Sequence, residues 1–248
     1  DGLRMAKKIG ADTTHTQFTG TYPCGMELDP KGKPRVGTMF SSRNYWYAIL
    51  VNKLGKRFTN EYVSATKMTR YLIEQPDGTA YPIADSVVWE QMNTLPYIVV
   101  GWPKERVAEE LEKGELFVKA DTLAELAEKL KIDAKNLEET VNKYNSYVES
   151  GQDLEFGRNP EWMTKLEHPP FYACTGVRPI MMLGVGGLRI NAKGQVLDPY
   201  DEPIPGLYAA GEVAGGAMGT TYLAGCNVGL ACTFGYFAGQ HAAAEKVA

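Results

Sequence analysis

Apolar positions recur along the chain with two different periods. Leu123, Leu126, Ala127 and Leu130 fall on one helical face behind Thr122-Leu-Ala-Glu125, a capping box in which Thr meets the N3 amide and Glu reaches back. Leu137, Val141, Tyr144 and Val148 repeat at helical spacing after Asp133, and Gly151 stops the run. The spacing predicts helices over about 122–130 and 134–150. Pro103 to Lys113 reads as a helix ending at Gly114, and Ser86 to Met92 as a short one. Leu3, Met5, Ala6 and Ile9 make a short amphipathic helix stopped by Gly10. Strands are predicted where β-branched and aromatic residues cluster. These are 45–51, Tyr81 to Ala84 and Leu116 to Val118, while Tyr97 to Val100 is an apolar run without an assigned element. The 45–51 strand, a turn over 52–56 and a return through Arg57-Phe58-Thr59 predict a β-hairpin.

The tail has another texture. Gly187 to Ile190 and Gln195 to Leu197 read as strands around a tight turn at 191–194. Pro203-Ile-Pro-Gly206 reads as a second turn, Leu207 to Ala210 as a strand, 214–229 as a glycine-rich loop, and Leu230 to about Ala244 as a helix of small residues. Of the 26 glycines, fourteen lie between Gly176 and Gly239, and this shift divides the chain.

Composition removes several classes. With 44% hydrophobic and 23% charged residues, the 248-residue chain is neither disordered, collagen-like nor a coiled coil. A net charge of -4 without a dense Lys/Arg run gives no bulk attraction for nucleic acid, local basic patches aside. No stretch approaches 18 consecutive apolar residues, and no signal peptide is visible, so no transmembrane segment is expected. Cys24, Cys174, Cys226 and Cys232 form no CxxC pair, and read as buried or half-buried free thiols of a reducing compartment; the expectation is a cytoplasmic protein. His15, His168 and His241 are too few for a multi-histidine metal site, and no GxSxG elbow is present.

Three tail segments carry a specific resemblance: Gly186-Gly-Leu-Arg-Ile-Asn-Ala-Lys-Gly-Gln-Val-Leu-Asp198, Pro203-Ile-Pro-Gly-Leu-Tyr-Ala-Ala-Gly-Glu212 and Thr233-Phe-Gly-Tyr-Phe-Ala-Gly239. Together they resemble the C-terminal FAD-binding part of the flavoproteins that include soluble fumarate reductases, urocanate reductase and 3-ketosteroid dehydrogenases. Upstream, Gly2-Leu-Arg-Met-Ala6 looks like that family's helix before the cap, and Gly55-Lys-Arg-Phe-Thr-Asn-Glu61 like its GxRFxNE hairpin. The helical pair ending at Gly157-Arg158 is similar to its capping domain. The resemblance implies an α/β plus α+β fold: part of a Rossmann-like FAD-binding domain, split in sequence, with an inserted α+β capping domain. Residues 1–20 and 184–248 would belong to the FAD-binding domain and 21–183 to the capping, substrate domain. The family's GxGxxG pyrophosphate loop occurs nowhere in this chain. The expectation is a fragment, a processed piece or a subunit that pairs with a separate N-terminal chain carrying that motif.

The resemblance also assigns residues. Gly186, Gly187, Gly211, Glu212, Gly225, Asn227 and Val228 fall at cofactor positions. Physically, a carboxylate after a strand end accepts bonds from sugar-like hydroxyls, and amides at a helix start favour negative charge on a flavin ring. The same glycines serve turns and close packing equally well. Four places where the family's fumarate reductases carry His or Arg fall on Tyr22-Pro23, Met181-Met182-Leu183, Val88-Trp89 and Tyr222-Leu223. Without cations a dicarboxylate is poorly held. Tyr222 and Tyr22 therefore resemble the tyrosines that serve 3-ketosteroid dehydrogenases as acid, base or ketone-oxygen donor; packing roles remain open for both. Glu61 beside Arg57 fits a proton relay or an ion pair within the hairpin, the second being the commoner use. The expected function is hydride transfer between flavin N5 and a C–C or C=C bond next to a carbonyl in a small molecule. A fumarate- or urocanate-type carboxylate reductase and a non-catalytic subunit are the alternatives.

Overall fold

The computed structural model describes residues 1–27, 36–39, 45–219 and 225–245. The elements run in the order α1 (Gly2–Lys8), β1 (Thr13–Thr14), β2 (Thr19–Glu27), β3 (Val36–Met39), β4 (Ile49–Val51), α2 (Ala65–Ile73), β5 (Tyr81–Ala84), α3 (Ser86–Asn93) and α4 (Lys104–Lys113). They continue with β6 (Phe117–Ala120), α5 (Leu123–Leu130), α6 (Ala134–Ser150), β7 (Phe171–Cys174), β8 (Arg178–Gly184), β9 (Gly187–Leu188), β10 (Gln195–Leu197), β11 (Pro203–Tyr208) and α7 (Cys226–Ala244). Helix and sheet are mixed throughout, as expected. The chain divides into two compact units, residues 1–21 with 181–248, and residues 22–180.

The unit of residues 22–180 is built on an antiparallel sheet of order β4-β5-β7-β6, with Ile83 opposite both Ile49 and Ala173. Every residue of β4 and β5 is buried, so both faces of these strands are covered. The apolar stripes of α5 and α6, carried by Leu126, Leu130, Leu137 and Val141, join that core. Thr122 caps α5 through the Glu125 amide at 3.2 Å, and Glu125 reaches back to the amide of Asp121 rather than that of Thr122. Asp133 caps α6 at 2.8 Å, and Gly151 ends it in the left-handed region at φ 68°. The charge pattern gave no warning of Asp85, which is fully buried. Its Oδ1 caps α3 at the Val88 amide, 2.9 Å, while Oδ2 accepts from the amides of Glu167 and His168 at 3.1 and 3.0 Å.

Several predicted elements are corrected. The strand over 45–51 shrinks to Ile49–Val51, because one arginine, Arg158, takes the carbonyls of Trp46, Tyr47 and Ala48. The return strand is a single bridge between Val51 and Arg57. Helix α2 and strand β2 were not predicted.

In the unit of residues 1–21 with 181–248, β1 pairs with β9 and β10 with β11, both antiparallel, and a lone parallel bridge joins Leu188 to Ala214. Strand 187–190 is shortened to β9. Residues 203–206 are strand rather than turn; the turn lies at 198–202, where Asp198 Oδ1 accepts from the Tyr200 and Glu202 amides. Helix α7 starts four residues earlier than predicted. Among the described residues no helix is long and apolar enough to cross a membrane, and no acidic, Cys or His group is arranged to hold a metal.

Asp85→Ala is expected to cost about 2–5 kcal/mol, since it removes a buried cap and leaves two further, partly buried amides without their acceptor, whereas Thr122→Ala at an exposed cap costs about 1 kcal/mol. Urea unfolding of the two variants checks the ranking; equal losses would contradict the role given to Asp85.

Candidate cofactor site

In the unit of residues 1–21 with 181–248, a cavity of about 630 Å³ opens between the strands and the start of α7. That volume lies within the range of small-molecule sites. Thr14, Arg189, Asn191, Glu212, Asn227 and Phe234 are on its wall. After β11 the chain turns at Gly211, φ 74°, into a short 3-10 turn that carries exposed Glu212 to the rim. Gly225, at φ 87°, precedes the first residue of α7, and among the described residues no side chain caps the helix start beside Asn227 and Val228. Arg189 is engaged elsewhere, with Asp12 at 3.0 Å and Asp201 at 2.7 Å. A second cavity of about 470 Å³ is lined by Met218, Gly225, Cys226 and Leu230.

The structure brings together Gly211, Glu212, Asn227 and Val228 on the larger cavity and puts Gly225 on the smaller one. Gly186 and Gly187 line neither. A Cβ on Gly186 would lie 2.3 Å from the His15 carbonyl carbon, and one on Gly187 2.3 Å from the Val213 oxygen. Close main-chain packing accounts for both glycines. Tyr222 lies outside the described residues. Tyr22 is half-buried against the core of the unit of residues 22–180.

Arg57 and Glu61 meet in that second unit as an ion pair within a larger buried ionic centre. Arg57 Nε and Nη2 donate to the two Glu61 carboxylate oxygens at 2.9 and 2.8 Å, and Nη2 also to Asp153 at 3.0 Å. Arg158 Nη1 donates to Glu61 at 3.1 Å and to the Ala48 carbonyl at 3.0 Å, and Nη2 donates to the Trp162 carbonyl. Leu50 donates its amide to Glu61 as well, at 3.2 Å. The Arg57 guanidinium lies 5.1 Å from the ring centres of both Tyr144 and Phe156. Burial pushes the Glu61 carboxyl up, but Arg57 and Arg158 outweigh it and hold it below the ordinary value. Asp153 is lowered in the same way, burial being opposed by Arg57. None of these four side chains lines either cavity. The sequence reading named Arg57 and Glu61 but missed Asp153 and the central place of Arg158; the only signal was Arg158 following Gly157 in an otherwise polar loop. Thr14, Arg189 and Asn191 were also missed, since nothing local sets them apart.

All four cysteines are free thiols; Cys24 and Cys174 are buried, each pushed up to about 12 by burial, while Cys232 is exposed rather than half-buried.

Residues 1–228 match the model of a family described as FAD binding domain. The chain belongs to this FAD-binding family. It is 35% identical over 244 residues to urocanate reductase of Eggerthella lenta, covering 97% of this chain and 38% of that protein. It is 32% identical over 273 residues to 3-oxosteroid 1-dehydrogenase of Mycolicibacterium smegmatis, covering all of this chain and 46% of that protein. Among solved structures, the open conformation of a flavocytochrome c3 fumarate reductase matches with a TM-score of 0.74 and 32% identity, over 98% of this chain and 39% of that one. The chain thus spans less than half the length of these relatives.

The residues present fit one part of FAD. Glycine-walled backbone, the apolar side chains of Leu230 and Phe234, a rim carboxylate and helix-start amides suit a flat ring with a hydroxylated chain.

For the ionic centre of this FAD-family chain, Glu61→Gln is expected to cost about 3–5 kcal/mol at neutral pH, because two buried guanidiniums lose their shared carboxylate. A carboxyl lowered on folding adds stability above its unfolded value, and that stability is lost as pH falls through the folded value. Denaturant titrations from pH 7 into the acid range therefore show a shallower acid decline in Glu61→Gln than in the parent. Parallel curves would refute this role.

Proposed function

We propose that residues 1–20 and 184–248 form the isoalloxazine- and ribityl-side half of an FAD site in a Rossmann-like domain split in sequence, with residues 21–183 as the inserted α+β capping domain. The observation that carries this reading is the cavity walled by the Gly211–Glu212 turn and the start of α7. Bound FAD supplies hydride exchange at N5 with a carbon of a C–C or C=C bond next to a carbonyl. Glu212 accepts hydrogen bonds from the ribityl hydroxyls. Amides at the start of α7, near Asn227 and Val228, favour negative charge on the reduced ring. Tyr222 and Tyr22 hold or move the proton at the substrate, whose polar atom is a ketone oxygen.

Relatives of both substrate types stand at similar identity, and a carboxylate reductase of the fumarate or urocanate type is the second reading. The ketone reading is favoured by Val88 and Trp89. The residues at this expected cation position are buried in the core, where Trp89 stacks on Tyr172 at 4.7 Å. No positive charge is offered there.

The pyrophosphate and adenosine side of the site is assigned to residues outside these 248 that carry a GxGxxG loop, on the same polypeptide or on a separate chain. Helix α7 fits a further covering segment: its sequence is mostly apolar or small, a composition suited to burial, yet Ala238 alone is buried and Val228 and Tyr236 are 74% and 63% exposed. The free thiols fit a cytoplasmic placement.

Flavin-fluorescence titration tests the assignment. The chain alone is expected to bind riboflavin and FAD within a few-fold of each other, with Glu212→Gln weakening both about tenfold or more. Absence of quenching by either flavin would sink the cavity assignment. A large preference for FAD would sink the assignment of the pyrophosphate side to residues outside these 248.

A further inference from the structure

Thr14 and His15 stand out on the cavity wall. Thr14 ends β1 and lines the larger cavity, and the partner of its hydroxyl among the described residues is the Nδ1 of the next residue, His15, at 3.0 Å. His15 holds a left-handed backbone at φ 56°, a conformation that histidine adopts more readily than most side chains but still at a cost of about 1–3 kcal/mol. Three contacts keep it there. Its carbonyl accepts from the Phe18 amide at 3.0 Å, its ring packs 5.9 Å from that of Phe18, and its main chain lies against Gly186, where no Cβ fits. The methyl of Thr14 meanwhile faces Gly216, at 3.2 Å from the place of a Cβ there. His15 makes no ion pair among the described residues. The strained turn therefore aims one ring nitrogen at the hydroxyl of a cavity-lining residue.

We propose that Thr14 is a ligand-contacting residue of this cavity and that His15 is its positioning residue, an inference that rests on the flavin reading given above. The pairing fixes the hydroxyl rotor. With a hydrogen on Nδ1, the Thr14 oxygen accepts it and the hydroxyl's own hydrogen is free to donate to a carbonyl or hydroxyl oxygen of the flavin. With a bare Nδ1, the Thr14 hydrogen goes to the histidine and the oxygen lone pairs face the cavity. In either form the ligand meets a hydroxyl of defined direction, and His15 acts on the ligand only through Thr14.

A double-mutant cycle in riboflavin binding, read by fluorescence quenching on the full chain, decides the matter. His15→Gly removes the ring but keeps the left-handed backbone, which glycine adopts without strain. Thr14→Val keeps the shape and removes the hydroxyl. Each single change is expected to weaken binding about three- to tenfold, the worth of one neutral hydrogen bond. The double variant is expected to lose no more than Thr14→Val alone. His15→Asn, which tolerates the same backbone and offers a short amide, and Thr14→Ser should each recover most of the loss. Additive losses, or singles that bind like the parent, would overturn the inference and leave the cavity assignment standing. A parent chain that binds no riboflavin would overturn both.

Discussion

Where Gly187 lies against Gly215, the two main chains come so close that neither position has room for a Cβ. A Cβ on Gly215 would lie 2.2 Å from the Gly187 nitrogen, and one on Gly187 2.7 Å from the Gly215 nitrogen. The Gly215 amide donates to Leu188 across this seam at 2.9 Å. The rest of the cavity unit follows from the contact. It sets β9 beside the loop after β11, makes the parallel bridge between Leu188 and Ala214, and leaves the Gly211–Glu212 turn facing the first turn of α7. Gly186 repeats the device against His15 on the other side, and so ties the strained Thr14–His15 turn to the same wall. The seam is what allows four distant stretches of sequence to share one cavity.

The other unit is organised around charge. Arg158, 1% exposed, satisfies the carbonyls of Trp46, Tyr47, Ala48 and Trp162 as well as Glu61, and Arg57 joins Glu61 to Asp153. Buried ion pairs are costly to assemble, and they hold a geometry because breaking one partner leaves an uncompensated charge. Here the geometry held is irregular backbone at 45–48 and 153–162, which no sheet or helix ladder could satisfy. Carboxylates held below their ordinary values and enclosed in this way anchor loops.

Much of this was legible in the residues. The capped, periodic helices α5 and α6 and the Gly114 and Gly151 stops could be read directly, because side-chain spacing and local capping decide them. The tail motif led to the FAD-binding family because a Gly-Glu after a strand and a glycine-rich loop before a small-residue helix form a pattern specific in combination. What escaped had no local cause. The 45–51 strand looked sound by propensity and was cut short by an arginine more than a hundred residues away. Gly186 and Gly187 looked like cofactor glycines because close approach to a ligand and close approach to another strand make the same demand on sequence. Asp85, Asp153 and Thr14 owe their roles entirely to tertiary neighbours.

The central claim is that the cavity of the 1–21 and 181–248 unit receives the flavin ring. Hydrogen exchange followed by mass spectrometry, with and without saturating riboflavin, tests it most directly, because exchange reports the stability of local backbone structure. The account predicts slower exchange over 211–219 and the first turns of α7, with little change over 46–62 and 153–162 around the ionic centre. Protection confined to the ionic centre, or none at the start of α7, would contradict it.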